Sequence, residues 1–494
     1  MDGQLSRNFY EELGVKQGHC RSSDSYKIYV NTLLDMVDQA NLGVWIGPVN
    51  AGSSACADDE YLMSDSQSKM QALLSIAEHY GDMYQTTYGA SKTKITVVGC
   101  EQDMQYYKDV SPWKLNGDQI KVTDDNEHLG QIVSGKDQEQ KNVDLKLSKA
   151  RGALFSLLGP AFQMKCLLSP IVKHHLFQTY VSPILRSGLS TFVLRKTHTQ
   201  PLIMFHRKSL RGILGLSKVS PIPVLHFLLG ELPIEGQIHR DVFSLFFNVW
   251  TNPDSKIFQI VKHLLEVCET NSRTWSAYLK YLCLRYNLPD PLECLNSSPP
   301  VKSHFKEHVL TKIYAFYEGE LRENASTNSK LKFMNFSVTS LRGGPHPVLQ
   351  NFVTTYEVKK SRIHLKMLTG DYMTYQTKAS QSGGSPKCRL CCTEELENIE
   401  HILSYCIVYE DIRNRIVTEY EQLSLKIGYP FEMVKSDNRM LCQFILDPTC
   451  MNLKSRLDCK NESLKDFLQI SRDYCYAVHS RRMNQLKTAE NQLI

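Results

Sequence analysis

The sequence predicts an α+β fold, in which a mixed N-terminal part is followed by a much longer helical part. Short apolar runs bounded by turn residues fill the first 135 positions, and Asn116-Gly117 marks a tight hairpin among them. Beyond residue 136, apolar residues recur mostly at helical spacing. Breaks in composition divide the chain into five predicted segments: 1–135, 136–285, 286–380, 381–412 and 413–494.

The composition is that of a globular protein. Of 494 residues, 42% are hydrophobic and 22% are charged, which excludes a disordered chain. The polar start and the shortness of the apolar runs predict no signal peptide, no transmembrane segment and no membrane partner. Fifteen cysteines without a signal peptide are typical of reduced thiols. We therefore expect the protein in the nucleus, the cytoplasm or both. The sequence does not indicate its oligomeric state.

The N-terminal part contains two predicted helices separated by an extended piece. Residues 24–43 form the first helix, which Asn41 and Gly43 end. The extended piece leads into Asp58-Asp59, and Ser64 or Ser66 caps the second helix. The segment KTKITVVG, which begins at Lys92, is predicted to be a strand, and the Asn116-Gly117 hairpin follows.

A basic stretch lies downstream of this part. No Asp or Glu occurs between Leu145 and Gly230. A positive block of this length predicts a polyanion partner, RNA or DNA, although a lysine-rich solvated helical face is the alternative. The His174-His175 pair in this stretch is interpreted as a surface or core pair. The basic residues are Lys146, Lys149, Arg151, Lys165, Lys173, Arg186, Arg195, Lys196, Arg207, Lys208, Arg211 and Lys218.

The adjacent carboxylates of Asp58 and Asp59 are candidate ligands for Mg²⁺. Mg²⁺ prefers oxygen ligands, and two-metal phosphoryl transfer requires clustered carboxylates. A tight turn after an apolar strand suits an adjacent pair, because neighbouring side chains on a strand point to opposite faces. An acidic turn without a metal is the alternative, since the dipeptide is common.

Four motifs in this part resemble the palm of non-LTR retrotransposon reverse transcriptases. GVKQGHC, from Gly14, resembles the family's Gly-x-x-Gln-Gly segment, and CADDEYLMSDS resembles its aromatic-Ala-Asp-Asp hairpin. Lys92-Thr93 and Leu129-Gly130 match the family's Lys-Thr strand and primer-grip hairpin. The resemblance covers about residues 12–250 and 360–412.

The resemblance implies a reverse transcriptase (RNA-directed DNA polymerase) fragment. Asp58 and Asp59 would be the catalytic Mg²⁺ ligands, and Gln17, Gly18 and Lys92 would contact the template and nucleotide. The family's first catalytic Asp lies upstream of the Gln-Gly motif, and only thirteen residues precede Gly14. We therefore expect a truncated, inactive polymerase; the alternative is a non-catalytic nucleic-acid-binding protein. The five segments would be a partial palm, a basic helical thumb, a helical connecting region, a CCHC zinc knuckle and a C-terminal helical region.

A cysteine–histidine cluster predicts a structural zinc site. Cys388, Cys391, His401 and Cys406 follow the spacing C-x2-C, nine residues, H-x4-C. Three thiolates and one imidazole suit tetrahedral Zn²⁺, and a site with four protein ligands is structural. Chance clustering is the alternative, and the adjacent Cys392 competes for the second position. A C-terminal CCHC element also belongs to the family. The preceding QTKASQSGGSPK is predicted to be a flexible tether.

Overall fold

The computed structural model describes residues 20–57, 59–162, 168–269, 272–334, 336, 339–350, 354–391, 393–451 and 462–491. The fold is mixed and mostly helical. None of the described helices combines the length and apolarity needed to cross a bilayer.

The strands form five two-stranded pairs. Four pairs are antiparallel, and only β5 with β8 is parallel. The strands are β1 (Trp45–Ile46), β2 (Val49–Asn50), β3 (Ser53–Cys56), β4 (Asp59–Leu62), β5 (Lys94–Ile95), β6 (Lys114–Leu115), β7 (Asp118–Gln119), β8 (Lys121–Val122), β9 (Asp125–His128) and β10 (Gln131–Ser134).

The helices make up most of the remaining structure. They are α1 (Ser22–Ala40), α2 (Gln67–Tyr84), α3 (Glu101–Val110), α4 (Gln138–Phe162), α5 (Pro170–Leu176), α6 (Ser182–Arg186), α7 (Lys196–Leu214), α8 (Ile222–Leu229), α9 (Ile234–Trp250), α10 (Lys256–Val267), α11 (Trp275–Arg285), α12 (Pro291–Leu295), α13 (Lys302–Ser326), α14 (Thr355–Leu368), α15 (Tyr375–Ser382), α16 (Glu410–Ile427), α17 (Glu432–Lys435), α18 (Asn438–Leu446) and α19 (Glu462–Asn491).

The chain forms two compact units. Unit 1 comprises Met1–Asn142, Phe246–Tyr281 and Pro289–Pro299; unit 2 comprises Val143–Leu245, Leu282–Leu288 and Pro300–Ile494. The five predicted domains remain predictions, because compactness does not test the identity of each segment.

Unit 1 contains the predicted N-terminal elements. The first helix ends where Asn41 adopts a left-handed conformation (φ 56°), and the hydroxyl of Ser66 accepts from the Lys69 amide to cap α2. Both predictions are confirmed, as is the hairpin with Asn116 and Gly117 at positive φ. The α1–α2 core consists of Leu33, Val37, Leu73, Ala77 and Tyr80.

The predicted strand at KTKITVVG is much shorter in the structure. Only Lys94 and Ile95 pair, with Lys121 and Val122. Ile95 is buried and Val97 packs against the same core, whereas Val98 is 71% exposed, so the end of the segment is only partly covered. Its β-branched composition alone does not maintain pairing, since strand preference depends on burial and on neighbouring strands.

Unit 2 buries a carboxylate between α5, α7 and α9. Glu231 is 3% exposed and accepts hydrogen bonds from four side chains: His174 (2.9 Å), Gln178 (2.7 Å), His206 (3.3 Å) and Gln237 (2.7 Å). The structure divides the His174-His175 pair, because His174 is a core residue and His175 is exposed. Burial alone would raise the pKa of Glu231, but the hydrogen bonds from His174 and His206 outweigh it and hold the pKa well below its usual range.

The depressed pKa of Glu231 predicts acid sensitivity. A lowered carboxyl pKa contributes stability above the unfolded-state value near 4.5, and this stability is lost as the pH falls towards the folded-state pKa. Glu231→Gln removes the charge and presents an amide donor to donor side chains, so it should lower the free energy of unfolding by about 1.5–3 kcal/mol at pH 7. The variant should also show a weaker pH dependence below about 4.5.

Urea unfolding followed by circular dichroism at several pH values measures both effects. Glu432→Gln, at an exposed position of the same unit, is the matched control and should behave as the wild type. An equal pH dependence in wild type and Glu231→Gln would contradict the role given to this carboxylate.

Candidate metal centre

The structure brings together the residues of the predicted cysteine–histidine site. It shows no comparable cluster around Asp59 among the described residues. Asp58, Gln17 and Gly18 lie outside the described residues. Asp59 begins β4 opposite Cys56 in an antiparallel hairpin, and Ala57 in the turn has positive φ (56°). The register therefore closes the β3–β4 hairpin between Cys56 and Asp59. Lys92 is exposed in the turn after Gly89.

The face of β4 that carries Asp59 contacts a second hairpin. Side chains two apart on a strand share a face, so Asp59 lies on the same side as Tyr61. The Tyr61 ring is 5.1 Å from the ring of His128, which ends β9, and exposed Leu129 forms the following turn. The structure thus places the β3–β4 hairpin beside the β9–β10 hairpin.

Glu60, on the other face of β4, points into unit 1. The Tyr88 hydroxyl donates to its carboxylate (3.0 Å), and burial raises the pKa of Glu60 against the smaller opposing effect of that hydrogen bond. Glu60 is therefore a structural carboxylate. Among the described residues, no group of three or more acidic side chains is gathered around Asp59.

The cysteine–histidine cluster is assembled in unit 2. The ligand atoms of Cys388, Cys391, His401 and Cys406 all lie within 4.8 Å of one another, and three of the four residues are buried. The Cys391 Sγ is 3.4 Å from the His401 Nε2. The predicted set of four residues thus converges on one point.

The first two ligands are held by a short turn. The Cys388 amide donates to the Glu395 carbonyl (2.8 Å), and the Glu397 amide donates to the Pro386 carbonyl (2.9 Å). These bonds, with the bridge between Lys387 and Leu396, close the loop that carries both cysteines. The loop therefore presents both sulfurs towards the helix that follows.

The last two ligands are aligned by a π-helical turn, His401–Tyr405. In an α-helix, residues five apart are rotated by about 140° and would face different directions. Here the Cys406 amide donates to the His401 carbonyl (2.8 Å), which is the i to i−5 bond of a π-turn and brings these two residues onto one side. This turn explains how the H-x4-C spacing serves a common centre.

The environment of the cluster favours ionisation of Cys388 and opposes that of Cys406, because the hydrogen bond between the two sulfurs and burial raise the pKa of Cys406. Hydrogen bonding with Cys406 is the largest cause that lowers the pKa of Cys388, to about 3, and the amides of Cys391 and Leu390 act in the same direction. The Tyr405 ring packs edge-on against the His401 imidazole at 4.9 Å and restricts its orientation. A cation at the centre would favour ionised sulfur further.

The donor set fits a tetrahedral soft or borderline ion. Zn–S bonds of about 2.3 Å place tetrahedral ligands roughly 3.8 Å apart, so separations of up to 4.8 Å require a contraction of about 1 Å. Three sulfurs and one imidazole match Zn²⁺, whereas Mg²⁺ requires oxygen ligands. The cluster can therefore hold zinc, with no open position for catalysis.

The predicted tether before the cluster is wrong, because Tyr375–Ser382 is helix α15. The Thr374 hydroxyl accepts from the Thr377 amide (3.1 Å), and the Glu397 carboxylate accepts from the Tyr375 amide (2.6 Å). These caps satisfy the first amides of a helix whose own composition is weakly helical. Only the end of the segment, with Gly383 and Gly384 at positive φ, remains loop-like.

Several residues that support the cluster have no signal in the sequence. Glu397 is fully buried and bonds to the Arg482 guanidinium through both oxygens (3.1 and 2.8 Å). The Tyr474 hydroxyl donates to the Leu403 carbonyl (2.6 Å), inside the π-turn. Both partners lie on α19, more than 70 residues downstream, so local spacing could not identify them.

No protein-family model matches the chain, and no curated protein matches its sequence. The function must therefore be argued from the chain's own residues and geometry.

One metal ion per chain is the expected content of this centre. Cys388→Ser and His401→Ala each remove one of four ligands, so each should reduce the bound zinc of the purified protein. Cys392→Ser is the control and should leave zinc content unchanged. Elemental analysis of the three variants beside the wild type provides the measurement. Wild-type zinc content in His401→Ala would exclude the imidazole as a ligand, and a loss in Cys392→Ser would show that the neighbouring thiol had been overlooked.

Proposed function

We propose that the 494-residue chain binds nucleic acid through unit 2 and does not act as a polymerase. We also propose that bound zinc fixes the arrangement of its C-terminal part. The observation that carries the proposal is the solvent face of α7. RNA and DNA are the proposed partners, and phosphate groups supply most of the binding energy.

The solvent face of α7 is a stripe without negative charge. Lys196, Gln200, Met204 and Lys208 recur every four residues and are all exposed, and α7 contains no Asp or Glu. Among the described residues, Lys208 has no ion-pair partner. The opposite face, which includes Leu202, Phe205 and His206, is buried. A cationic ridge on a firmly packed helix suits a phosphate backbone.

Fewer of the basic residues between Leu145 and Gly230 are accessible to a polyanion than the sequence suggests. Lys146 and Lys173 are buried, and Arg186 pairs with Asp241. Arg207 and Arg211 are partly buried, and Lys165 lies outside the described residues. The exposed cations available to a polyanion are therefore mainly Arg151, Arg195, Lys196, Lys208 and Lys218.

A second candidate function is the polymerase itself. The adjacency of the β3–β4 and β9–β10 hairpins, through Tyr61 and His128, favours kinship with reverse transcriptases. In that family the two corresponding hairpins would carry catalytic carboxylates and grip the primer. The CCHC cluster would then be the family's zinc knuckle. Mg²⁺ at Asp58 and Asp59 belongs to this candidate.

Nucleic-acid binding should depend on the α7 ridge and on salt. The double variant Lys196→Gln/Lys208→Gln should bind single-stranded RNA more weakly, and the slope of log affinity against log salt should become shallower by about 0.7 per lost phosphate contact. Lys302→Gln/Lys306→Gln, at exposed positions of α13, changes net charge equally and is the matched control.

Fluorescence anisotropy across a salt series measures both quantities. The control should keep the wild-type slope, because its lysines lie on another helix. An affinity of the wild type that does not change with salt, or an equal loss of affinity in both double variants, would contradict the proposal that α7 carries the binding surface.

The 494-residue chain should not extend a primer. Asp59 is exposed, and no cluster of acidic side chains surrounds it among the described residues, so two Mg²⁺ ions lack a ligand cage. Primer extension on an RNA template with Mg²⁺ should give no product for wild type, Asp59→Asn or the surface control Asp65→Asn. Extension by the wild type and by Asp65→Asn, lost in Asp59→Asn, would instead establish the second candidate.

A further inference from the structure

The cysteine–histidine centre is packed against the C-terminal helix α19 at several points. The segment 386–409, called here the metal element, receives hydrogen bonds from three side chains of that helix. Tyr474 donates to the Leu403 carbonyl (2.6 Å), Arg481 donates to the Val408 carbonyl (3.3 Å), and Arg482 pairs with Glu397. One helix therefore supports both halves of the ligand set.

The Arg482–Glu397 pair is the most deeply buried of these contacts. The two side chains are 7% and 0% exposed, and the guanidinium meets both carboxylate oxygens. Such a bidentate pair fixes orientation as well as distance. The rings of Tyr372 and Tyr375 lie 5.5 and 5.8 Å from the guanidinium carbon and exclude water from one side of it.

Glu397 transmits this position to the first two ligands. Its amide bonds to the Pro386 carbonyl, two residues before Cys388, and the next rung of the ladder joins the Cys388 amide to Glu395. A shift of Glu397 therefore moves the strand that carries Cys388. On the other side, Leu403 lies in the π-turn between His401 and Cys406, so Tyr474 restricts the other two ligands.

We propose that Arg482 is a positioning residue of the metal centre and that metal occupancy and the order of the last part of α19 are coupled. The inference rests on the proposed zinc site and extends it. The ligand atoms converge in the docked arrangement that α19 supports, so we expect α19 to raise metal affinity. By reciprocity, bound metal must stabilise the docked helix by the same free energy. The metal element would then fix the last part of α19 in its packed position, and it would not be an independent zinc knuckle.

Zinc affinity of point variants provides the first test. Residues that orient ligands from outside the coordination sphere typically change metal affinity by about 10–100-fold when replaced. Arg482→Met should weaken zinc binding by a factor in that range, measured by competition with a chromophoric chelator. Arg482→Lys keeps the charge but loses the two-pronged geometry, so its affinity should be intermediate.

A control on the same helix separates positioning from general destabilisation. Arg472 is also buried on α19, but its guanidinium bonds to the Gln350 carbonyl and to Gln469, away from the metal element. Arg472→Met should reduce thermal stability without changing zinc affinity. The absorption spectrum of the Co²⁺-substituted protein should change in Arg482→Met and stay constant in Arg472→Met, because it reports ligand geometry directly.

Hydrogen exchange measured on the wild-type protein provides a test that does not depend on whether a variant folds. Chelation should accelerate exchange in the metal element, in α15 and in residues 474–491, and should leave α7 unchanged. Acceleration confined to 386–409, or an Arg482→Met protein with wild-type zinc affinity, would overturn the coupling while leaving the zinc site intact. A wild-type protein that binds no zinc would overturn both.

Discussion

The convergence of four ligand atoms on one point is the constraint on which the C-terminal architecture depends. The segment that carries them has one isolated β-bridge and one π-turn, and it packs its buried Ile402 and Leu403 against other helices of unit 2 in place of a core of its own. Three like-charged thiolates within 4.8 Å would repel one another unless a cation lay between them. A bound divalent ion removes this repulsion, because it neutralises the sulfurs.

The need to hold the four ligand atoms together also explains why Arg482 and Glu397, which are distant in sequence, are both buried although both are charged. The Arg482–Glu397 pair is costly to desolvate, and removing one partner of such a pair typically costs about 3–5 kcal/mol. Here the pair also caps α15, since the Glu397 carboxylate accepts from the Tyr375 amide. One carboxylate therefore links the start of a helix, the loop of the first two ligands and the end of α19. Its burial specifies a single arrangement of these three elements.

Sequence reasoning succeeded where the chemistry is local. The convergence of Cys388, Cys391, His401 and Cys406, the Ser66 cap, the Asn116-Gly117 hairpin and the α1 terminus depend on residues close in sequence, and each was predicted; that the four residues bind zinc remains a proposal. The surface of unit 2 was predicted only in outline. The acid-free stretch was evident, but Lys146 and Lys173 are buried, and the sequence did not distinguish them from exposed Lys208.

The predictions that failed depended on distant partners. QTKASQSGGSPK has the composition of a tether, yet part of it is helical because Glu397, some twenty residues downstream, caps it. The strand at KTKITVVG is short, since only Lys94 and Ile95 find a partner strand and Val98 stays exposed. The β3–β4 and β9–β10 hairpins meet through Tyr61 and His128, 67 positions apart, and no prediction from the sequence placed them together. Tertiary context decides such cases, and periodicity carries no information about it.

The coordination sphere of the bound metal provides the most direct test of this account. X-ray absorption spectroscopy at the zinc edge of the purified, untreated full-length chain reports both the identity and the distance of the ligands. The account predicts about three sulfurs near 2.3 Å and one imidazole nitrogen near 2.0–2.1 Å. A shell of oxygen and nitrogen alone, or a protein that retains no zinc, would contradict it.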